Sequence, residues 1–397
     1  MRRALFLMAA LPLLMAAAPD VGWQQAGPDN ARAAPPQLRA EAPTPTPRPD
    51  PGPNSSQGWQ QAASNRANVP PPPQLRADAP SPTPRPDPRG YGPLKVTLGS
   101  VTAAFDVPYQ TLKGYRPLTL DLYQPPPRNY SLPLVVFIHG GGFGGGDSRH
   151  AEVFEDLPGT LAGLAAQGYI VASVNYRLSG EARFPAALQD VKAAIRFLRG
   201  RARDMNLDVT RAAVWGVSTG GQLAALAGVS CGVPLFAPAG APTDQSDCVQ
   251  GVVDWYGPIE VKVPEVKPAG FNPPPVSETG DLLGCEPATC PPGFAKSASP
   301  LSYVGLTSPP FLIQQGAQDT LVPPEQSQKL RDVLKASNVA AELVVYPNMG
   351  HNFSQSGAPD PATVHQALEK MAAFLAATFP PGAIGAKARP PGRGSVY

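Results

Sequence analysis

Short apolar runs alternate with amphipathic stretches between residues 94 and 379. Eight apolar runs predict β-strands, which lie at 101–109, 118–124, 134–138, 169–174, 212–217, 252–256, 311–316 and 342–347. Helical spacing of apolar residues predicts five helices, which lie at 154–167, 185–203, 222–229, 325–337 and 363–378. Several runs, such as LVVFI at 134–138, are apolar throughout, as strands covered on both faces are. The alternation predicts an α/β fold in which helices cover both faces of a mostly parallel, eight-stranded sheet.

The N-terminal end of the chain has the composition of an export signal. Arg2 and Arg3 precede an apolar stretch and then small residues, which is typical of a secretory signal over residues 1–18. An uncleaved membrane anchor is the alternative, although a bilayer span needs about 20 apolar residues. We therefore expect a secreted, periplasmic or cell-envelope protein with no integral membrane domain in the mature chain.

Proline-rich sequence follows this signal and returns at the C-terminal end. Residues 19–93 repeat the motifs GWQQA, PQLRA and AP(T/S)PTPRPDP, each after a shift of 36 or 37 residues. No repeat contains an apolar run that could form a core, so we expect a disordered stalk. Residues 380–397 are rich in Pro and Gly and predict a disordered tail. Residues 94–379 remain as the folded domain.

Charge and cysteine content narrow the classes of partner and cofactor. A formal net charge of +2 over 397 residues gives no basic footprint, so we expect no nucleic-acid partner. In an exported protein, Cys231, Cys248, Cys285 and Cys290 predict two disulfides, and we favour pairing between sequence neighbours among three possible connectivities. Zinc binding at CEPATC is the alternative, but the spacing and the lack of a nearby His argue against it. We expect no metal and no cofactor.

The candidate nucleophile is a serine between two glycines. GVSTGG, at 216–221, follows the strand predicted at 212–217 and precedes a predicted helix. A G-x-S-x-G pattern alone arises by chance in a chain this rich in Gly. At a strand-to-helix corner, however, Gly216 and Gly220 leave room for close backbone approach, and Ser218 is exposed at the turn.

A second glycine-rich motif, HGGGF at 139–143, directly follows the strand predicted at 134–138. Residues without side chains allow backbone N–H groups to approach a developing oxyanion. We therefore predict an oxyanion hole formed by the amides of Gly141, Gly142 and Thr219. A phosphate-binding loop is the alternative, but the GK(S/T) ending of such loops is missing.

A serine nucleophile needs a base and a group that orients the base. His351 follows the last predicted strand, and Asp319 follows the strand before it. The order Ser218, Asp319, His351 is the one expected for a serine hydrolase built on this type of sheet. Asp254 is a rival acid, but it lies within a predicted strand and we interpret it as structural. The other three histidines lie at positions that are less suitable for a base, and they are His139, His150 and His365.

From about residue 93 to 379 the chain resembles α/β-hydrolases. It is most similar to bifunctional acetyl-xylan and feruloyl esterases, which are related to hormone-sensitive-lipase-type carboxylesterases. The resemblance lies in HGGGF, FPAALQDVKAAIRFLR, VWGVSTGG, VVDWYGP, SPPFLIQQGAQDTLVP and GHNF. It implies a carboxylic-ester hydrolase that works through an acyl-enzyme without a cofactor. Thr219 departs from the Ala common in such elbows, but only its N–H is needed.

The substrate implied is a small-molecule or polysaccharide ester outside the cytoplasm. We expect the Pro- and Gly-rich segment 256–309 to fold over the site and to shape the acyl pocket. A serine peptidase is one alternative function. A wall-associated binding or adhesive protein with a silent hydrolase domain is another.

Overall fold

The structure, a computed structural model, describes residues 94–241, 244–260, 278–285 and 290–380. The predicted signal, the predicted stalk and all but the first residue of the predicted tail lie outside these ranges. None of the helices within them is both long and apolar enough to cross a membrane.

Within the described ranges, the main sheet has nine strands. They are β1 (Leu94–Leu98), β2 (Val101–Gln110), β3 (Leu118–Gln124), β4 (Leu132–Ile138), β5 (Ile170–Val174), β6 (Leu207–Val217), β7 (Gly251–Trp255), β8 (Phe311–Gly316) and β9 (Ala341–Tyr346). Their order is β1-β2-β3-β5-β4-β6-β7-β8-β9. The pairs β1–β2, β2–β3 and β3–β5 are antiparallel, and all pairs from β5 to β9 are parallel.

The mostly parallel sheet is as predicted, but the prediction of eight strands is one too few. The missed strand, β1, begins directly after the Pro-rich sequence, and only its antiparallel pairing with β2 makes it a strand. The short pair β10 (Ser354–Gln355) and β11 (Ala358–Pro359) was also not predicted. Strands this short have no periodicity that a sequence pattern could show.

The helices confirm the five predicted ones within a few residues at each end. They are α1 (Leu157–Ala166), α2 (Ala186–Gly200), α3 (Ala202–Met205), α4 (Thr219–Val229), α5 (Glu278–Leu283), α6 (Phe294–Ser297), α7 (Pro324–Ala336) and α8 (Pro361–Thr378). Short 3₁₀ turns lie at Pro234–Phe236, Pro300–Ser302 and His351–Phe353.

Two hydrophobic cores lie on opposite faces of the sheet. Val136 of β4 packs into the core that contains apolar residues of α2, α4 and α7. Its neighbours Val135 and Phe137 pack into the other core, with residues of α1 and α8. Because alternate side chains of one strand are buried on opposite faces, the strand reads as apolar throughout.

The two disulfides have the predicted connectivity. Cys231 is bonded to Cys248, and Cys285 to Cys290. The first disulfide connects the end of α4 to the segment that leads into β7. Beside it, the buried Lys192 ammonium donates to the Ser230 carbonyl at 2.9 Å.

Candidate active site

Ser218 lies alone between β6 and α4, in a sharp backbone turn. Its φ of 54° and ψ of −125° are unusual for a residue with a side chain. A Cβ at Gly216 would run into the carbonyl of Gly220, and a Cβ at Gly220 would run into the carbonyl of Ile138 on β4. Both glycines are therefore required by close approach of backbone, as the sequence predicts. The turn presents the serine hydroxyl at the carboxyl end of the sheet.

The hydroxyl of Ser218 lies at one end of a line of hydrogen bonds. Its Oγ is 2.9 Å from Nε2 of His351, and Nδ1 of the same ring is 2.8 Å from Oδ2 of Asp319. The Asp319 side chain is fully buried, and that of His351 is 16% exposed. The structure thus brings together three side chains that are 133 and 32 residues apart along the chain.

Three donors fix the orientation of the Asp319 carboxylate. The backbone N–H groups of Leu321 and Val322 donate to Oδ1 at 2.9 and 2.8 Å. The Gln315 amide donates to Oδ2 at 3.1 Å. Sequence reasoning missed Gln315, although two glutamines in an otherwise apolar strand were a signal that a polar partner lies at that end of β8.

One contact supports the imidazole of His351, and a second holds the residue that follows it. The edge of the Tyr256 ring packs against it, with 4.9 Å between ring centroids. The next residue, Asn352, has a φ of 57° and donates to the carboxylate of Glu152 at 2.9 Å. Glu152 and Tyr256 were also missed, because Glu152 belongs to no motif, and the place of Tyr256 in VVDWYGP does not reveal its contact with a ring 95 positions further along the chain.

The glycine-rich loop after β4 passes next to Ser218. A Cβ at Gly140 would lie 3.1 Å from the Cβ of Ser218. Gly141 and Gly142 follow with φ values of 112° and 62°, which favour glycine. Thr219 is the first residue of α4, so its N–H has no acceptor within the helix. The three predicted oxyanion donors therefore belong to the two backbone segments that border the serine hydroxyl.

The contacts of the other histidines are with groups other than Ser218. His139 is buried, stacks on the Tyr176 ring and has its Nδ1 2.8 Å from the Gly140 carbonyl. Burial lowers the pKa of His139 to about 4. His150 and His365 are largely exposed and lie beside acidic residues.

A buried ionic network anchors the glycine-rich loop to the sheet. Asp121 on β3 accepts hydrogen bonds from the Ser148 hydroxyl and from Arg149 Nε, each at 2.8 Å. Asn175, just after β5, donates to the Ser148 hydroxyl at 3.0 Å. The loop that carries Gly141 is therefore held at its far end by Asp121 of β3 and by Asn175, which follows β5.

A cavity of about 180 Å³ opens beside Ser218 and Thr219. Its apolar walls include Phe143, Leu282 and Val322, and its polar groups include Gln222, Glu260 and Gln326. Pro258, Glu260, Thr279 and Leu282 come from the segment that we expected to fold over the site. The described part of that segment does contribute a wall. In the ranges that the structure describes, no three His, Cys, Asp or Glu side chains form a cluster that could hold a metal ion.

Two protein-family profiles match the sequence of this chain. The BD-FAE family profile matches residues 120–334, which is more than half of the chain. The chain belongs to the BD-FAE family. The prolyl oligopeptidase family profile also matches, over residues 291–381.

Individual relatives of this chain are esterases. Esterase LipC of Mycobacterium tuberculosis is 31% identical over 59% of this chain and 56% of LipC. Carboxylesterase NlhH of the same species is 28% identical over 66% of this chain and 80% of NlhH. The chain therefore spans little more than half of the length of LipC.

Solved structures show the fold. A truncated carbohydrate esterase from gut microbiota has a TM-score of 0.57 and 27% identity, over 72% of this chain and 99% of that one. A thermophilic esterase from Thermogutta terrifontis has a TM-score of 0.57 and 22% identity, over 74% of this chain and 96% of that one. The α/β-hydrolase fold implied by the sequence is confirmed.

Proposed function

We propose that this protein is a serine carboxylic-ester hydrolase, with Ser218 as nucleophile, His351 as general base and Asp319 as the group that orients the base. The observation that carries the proposal is the line of two hydrogen bonds, 2.9 Å from Ser218 to His351 and 2.8 Å from His351 to Asp319. This is the arrangement that activates a serine hydroxyl. The esterase relatives support the same reaction class.

The proposed reaction has two steps of acyl transfer. His351 accepts the Ser218 proton while Oγ attacks the ester carbonyl carbon, and collapse of the tetrahedral intermediate breaks the bond to the alcohol oxygen. The imidazolium then donates its proton to the departing alcohol. In the second step, His351 takes a proton from water, whose oxygen attacks the acyl carbon. The bond from that carbon to Oγ of Ser218 then breaks, the imidazolium returns its proton to Oγ, and the carboxylic acid leaves. No cofactor takes part.

The amides of Gly141, Gly142 and Thr219 are the proposed oxyanion donors. Each tetrahedral intermediate carries negative charge on the former carbonyl oxygen, and loss of one donor typically costs about 3 kcal/mol of transition-state stabilisation. The α4 N-terminus adds the positive end of a helix dipole next to this charge.

The proposed substrates are short-chain or polysaccharide-linked acyl esters outside the cytoplasm. A cavity of about 180 Å³ supports a small acyl group. The similarity to a carbohydrate esterase supports a saccharide alcohol. Two disulfides support an oxidising compartment, in line with the proposed signal over 1–18, stalk over 19–93, hydrolase domain over 94–379 and tail over 380–397.

Substitution of the nucleophile tests the proposal. We expect Ser218→Ala to lower kcat for p-nitrophenyl acetate by several orders of magnitude with no change in folding. Ser230→Ala is the matched control, since it removes a buried hydroxyl at the other end of α4. Wild-type activity in Ser218→Ala would overturn the assignment. Acetylated xylan and methyl ferulate, assayed with the full chain, then define the alcohol and acyl preferences.

A serine peptidase is a second candidate, because the prolyl oligopeptidase profile covers 291–381 and so includes Asp319 and His351. Hydrolysis of aminoacyl p-nitroanilides faster than p-nitrophenyl esters would favour it. A binding protein with a silent hydrolase domain predicts hydrolysis of neither.

A further inference from the structure

A buried carboxyl group, that of Asp254, lies against the backbone turn that carries Ser218. Asp254 is fully buried in β7 and pairs in register with Gly216 on β6 and Ile313 on β8. Two residues earlier on the same face, Val252 packs against α4 at Gly228. Position 254 therefore lies on an apolar face, where burial of a carboxyl group costs free energy unless specific contacts offset that cost.

The contacts of the carboxyl show what it holds. Its Oδ1 accepts the N–H of Gly257 at 2.9 Å and closes the turn that follows β7. A Cβ at Gly221 or at Gly257 would run into the same oxygen, so the carboxyl lies against the first turn of α4. Its Oδ2 has no hydrogen-bond partner among the described residues.

The turn closed by Asp254 contacts two members of the proposed triad. The carbonyl of Trp255 accepts the N–H of Ser218 at 2.9 Å. Tyr256, which has a strained φ of 43°, packs its ring edge on the imidazole of His351 at 4.9 Å. A change in this turn would therefore move the nucleophile backbone and one support of the base together.

We propose that Asp254 is a positioning residue, whose carboxyl oxygen fixes the turn 254–257 and through it sets the backbone of Ser218 and the ring of His351. The proposal rests on the proposed function of Ser218 and His351. Asp254 touches neither substrate nor a reacting atom. Its effect is on the distance and angle between nucleophile and base, to which rates are steeply sensitive.

The protonation state of this carboxyl adds a second readout. Burial raises the pKa of Asp254 to about 7. The titratable groups on this side are Tyr256 on the same turn and, around Tyr256, Asp319 and Glu152. The neighbouring positions on β6, β8 and α4 are Gly216, Ile313 and Gly221. Because the folded pKa is raised above the ordinary value of 3.8, the stability that the Asp254 carboxyl contributes is lost progressively as the pH rises from that value to about 7.

Three variants of the full chain test the proposal. Asp254→Ala removes the acceptor for Gly257, and we expect kcat for p-nitrophenyl acetate to fall about tenfold to hundredfold with little change in KM. Asp254→Asn keeps an oxygen acceptor and should recover most of the lost rate. It should also remove the loss of Tm as the pH rises from about 4 to about 7, between the ordinary pKa of an Asp carboxyl and the raised pKa of Asp254. Val252→Ala, the control on the same face, should lower Tm but not kcat.

Hydrogen exchange provides a readout that is independent of activity. In Asp254→Ala, peptides covering 216–222 and 254–260 should exchange faster while the rest of the sheet does not, and Asp254→Asn should restore them. A kcat for Asp254→Ala within twofold of wild type, or unchanged exchange in these peptides, would overturn the positioning role. Absence of ester hydrolysis and of serine labelling in the wild type would instead overturn the proposed function, with the exchange result still deciding the role of Asp254.

Discussion

Replacing Asp319 with Asn tests how the proposed general base, His351, acquires the tautomer that it needs. In the wild type, Oδ2 accepts Nδ1–H of His351, which leaves Nε2 free to accept the Ser218 proton. The N–H groups of Leu321 and Val322 both donate to Oδ1. They will hold the amide oxygen of Asn in that place, so the amide NH₂ must face Nδ1. An NH₂ group cannot accept Nδ1–H, and the imidazole is forced into the wrong tautomer.

The expected effect is a fall in kcat of about 10⁴-fold, the size of the effect of the corresponding change in a Ser-His-Asp protease. This corresponds to about 5 kcal/mol of transition-state stabilisation. The assay is steady-state hydrolysis of p-nitrophenyl acetate, with circular dichroism to verify folding. Asp332→Asn on the exposed side of α7 is the matched control and should change kcat by less than about twofold. A folded Asp319→Asn enzyme within tenfold of wild type would refute the reasoning.

Three further predictions concern the disulfide, the glycine loop and a buried histidine. Replacing Cys231 and Cys248 with Ser opens a loop of 17 residues and should lower the free energy of unfolding, measured with denaturant, by about 3 kcal/mol. Removing the disulfide between Cys285 and Cys290, which closes a loop of only 5 residues, should cost less, and an equal or larger loss there would contradict the prediction. Gly141→Ala should lower kcat for ester hydrolysis about a hundredfold, because φ is 112° at this position and a Cβ would run into the carbonyl of Gly145. A kcat within twofold of wild type would contradict the prediction. In NMR titrations the His139 ring should stay neutral until the pH falls to about 4, and a titration midpoint near 6.5 would contradict this. Because the folded pKa of His139 is lowered, the stability that this residue contributes should be lost as the pH falls from 6.5 to about 4.

Local backbone geometry explains why much of the site could be predicted from sequence. Gly216 and Gly220 are required by contacts within a few residues of Ser218 and across one strand pair. The short motif therefore also predicts the backbone turn around it. Asp319 and His351 could be selected because each follows an apolar strand in a known order. The continuous apolar character of β4 likewise predicted a strand covered on both faces.

The features that sequence reasoning missed depend on contacts distant in the chain. Gln315 orients Asp319, and Glu152 holds the residue after His351 across 200 positions. Strand β1 exists through its pairing with β2. Asp254 was interpreted as structural because its place in a strand says nothing about the turn that it closes.

Identification of the residue that reacts with a fluorophosphonate tests the central claim most directly. The full chain is labelled at neutral pH, digested and mapped by mass spectrometry. The account predicts one adduct, on the peptide that contains Ser218, and no adduct in Ser218→Ala. An adduct on another serine, or none on a folded wild-type protein, would contradict it.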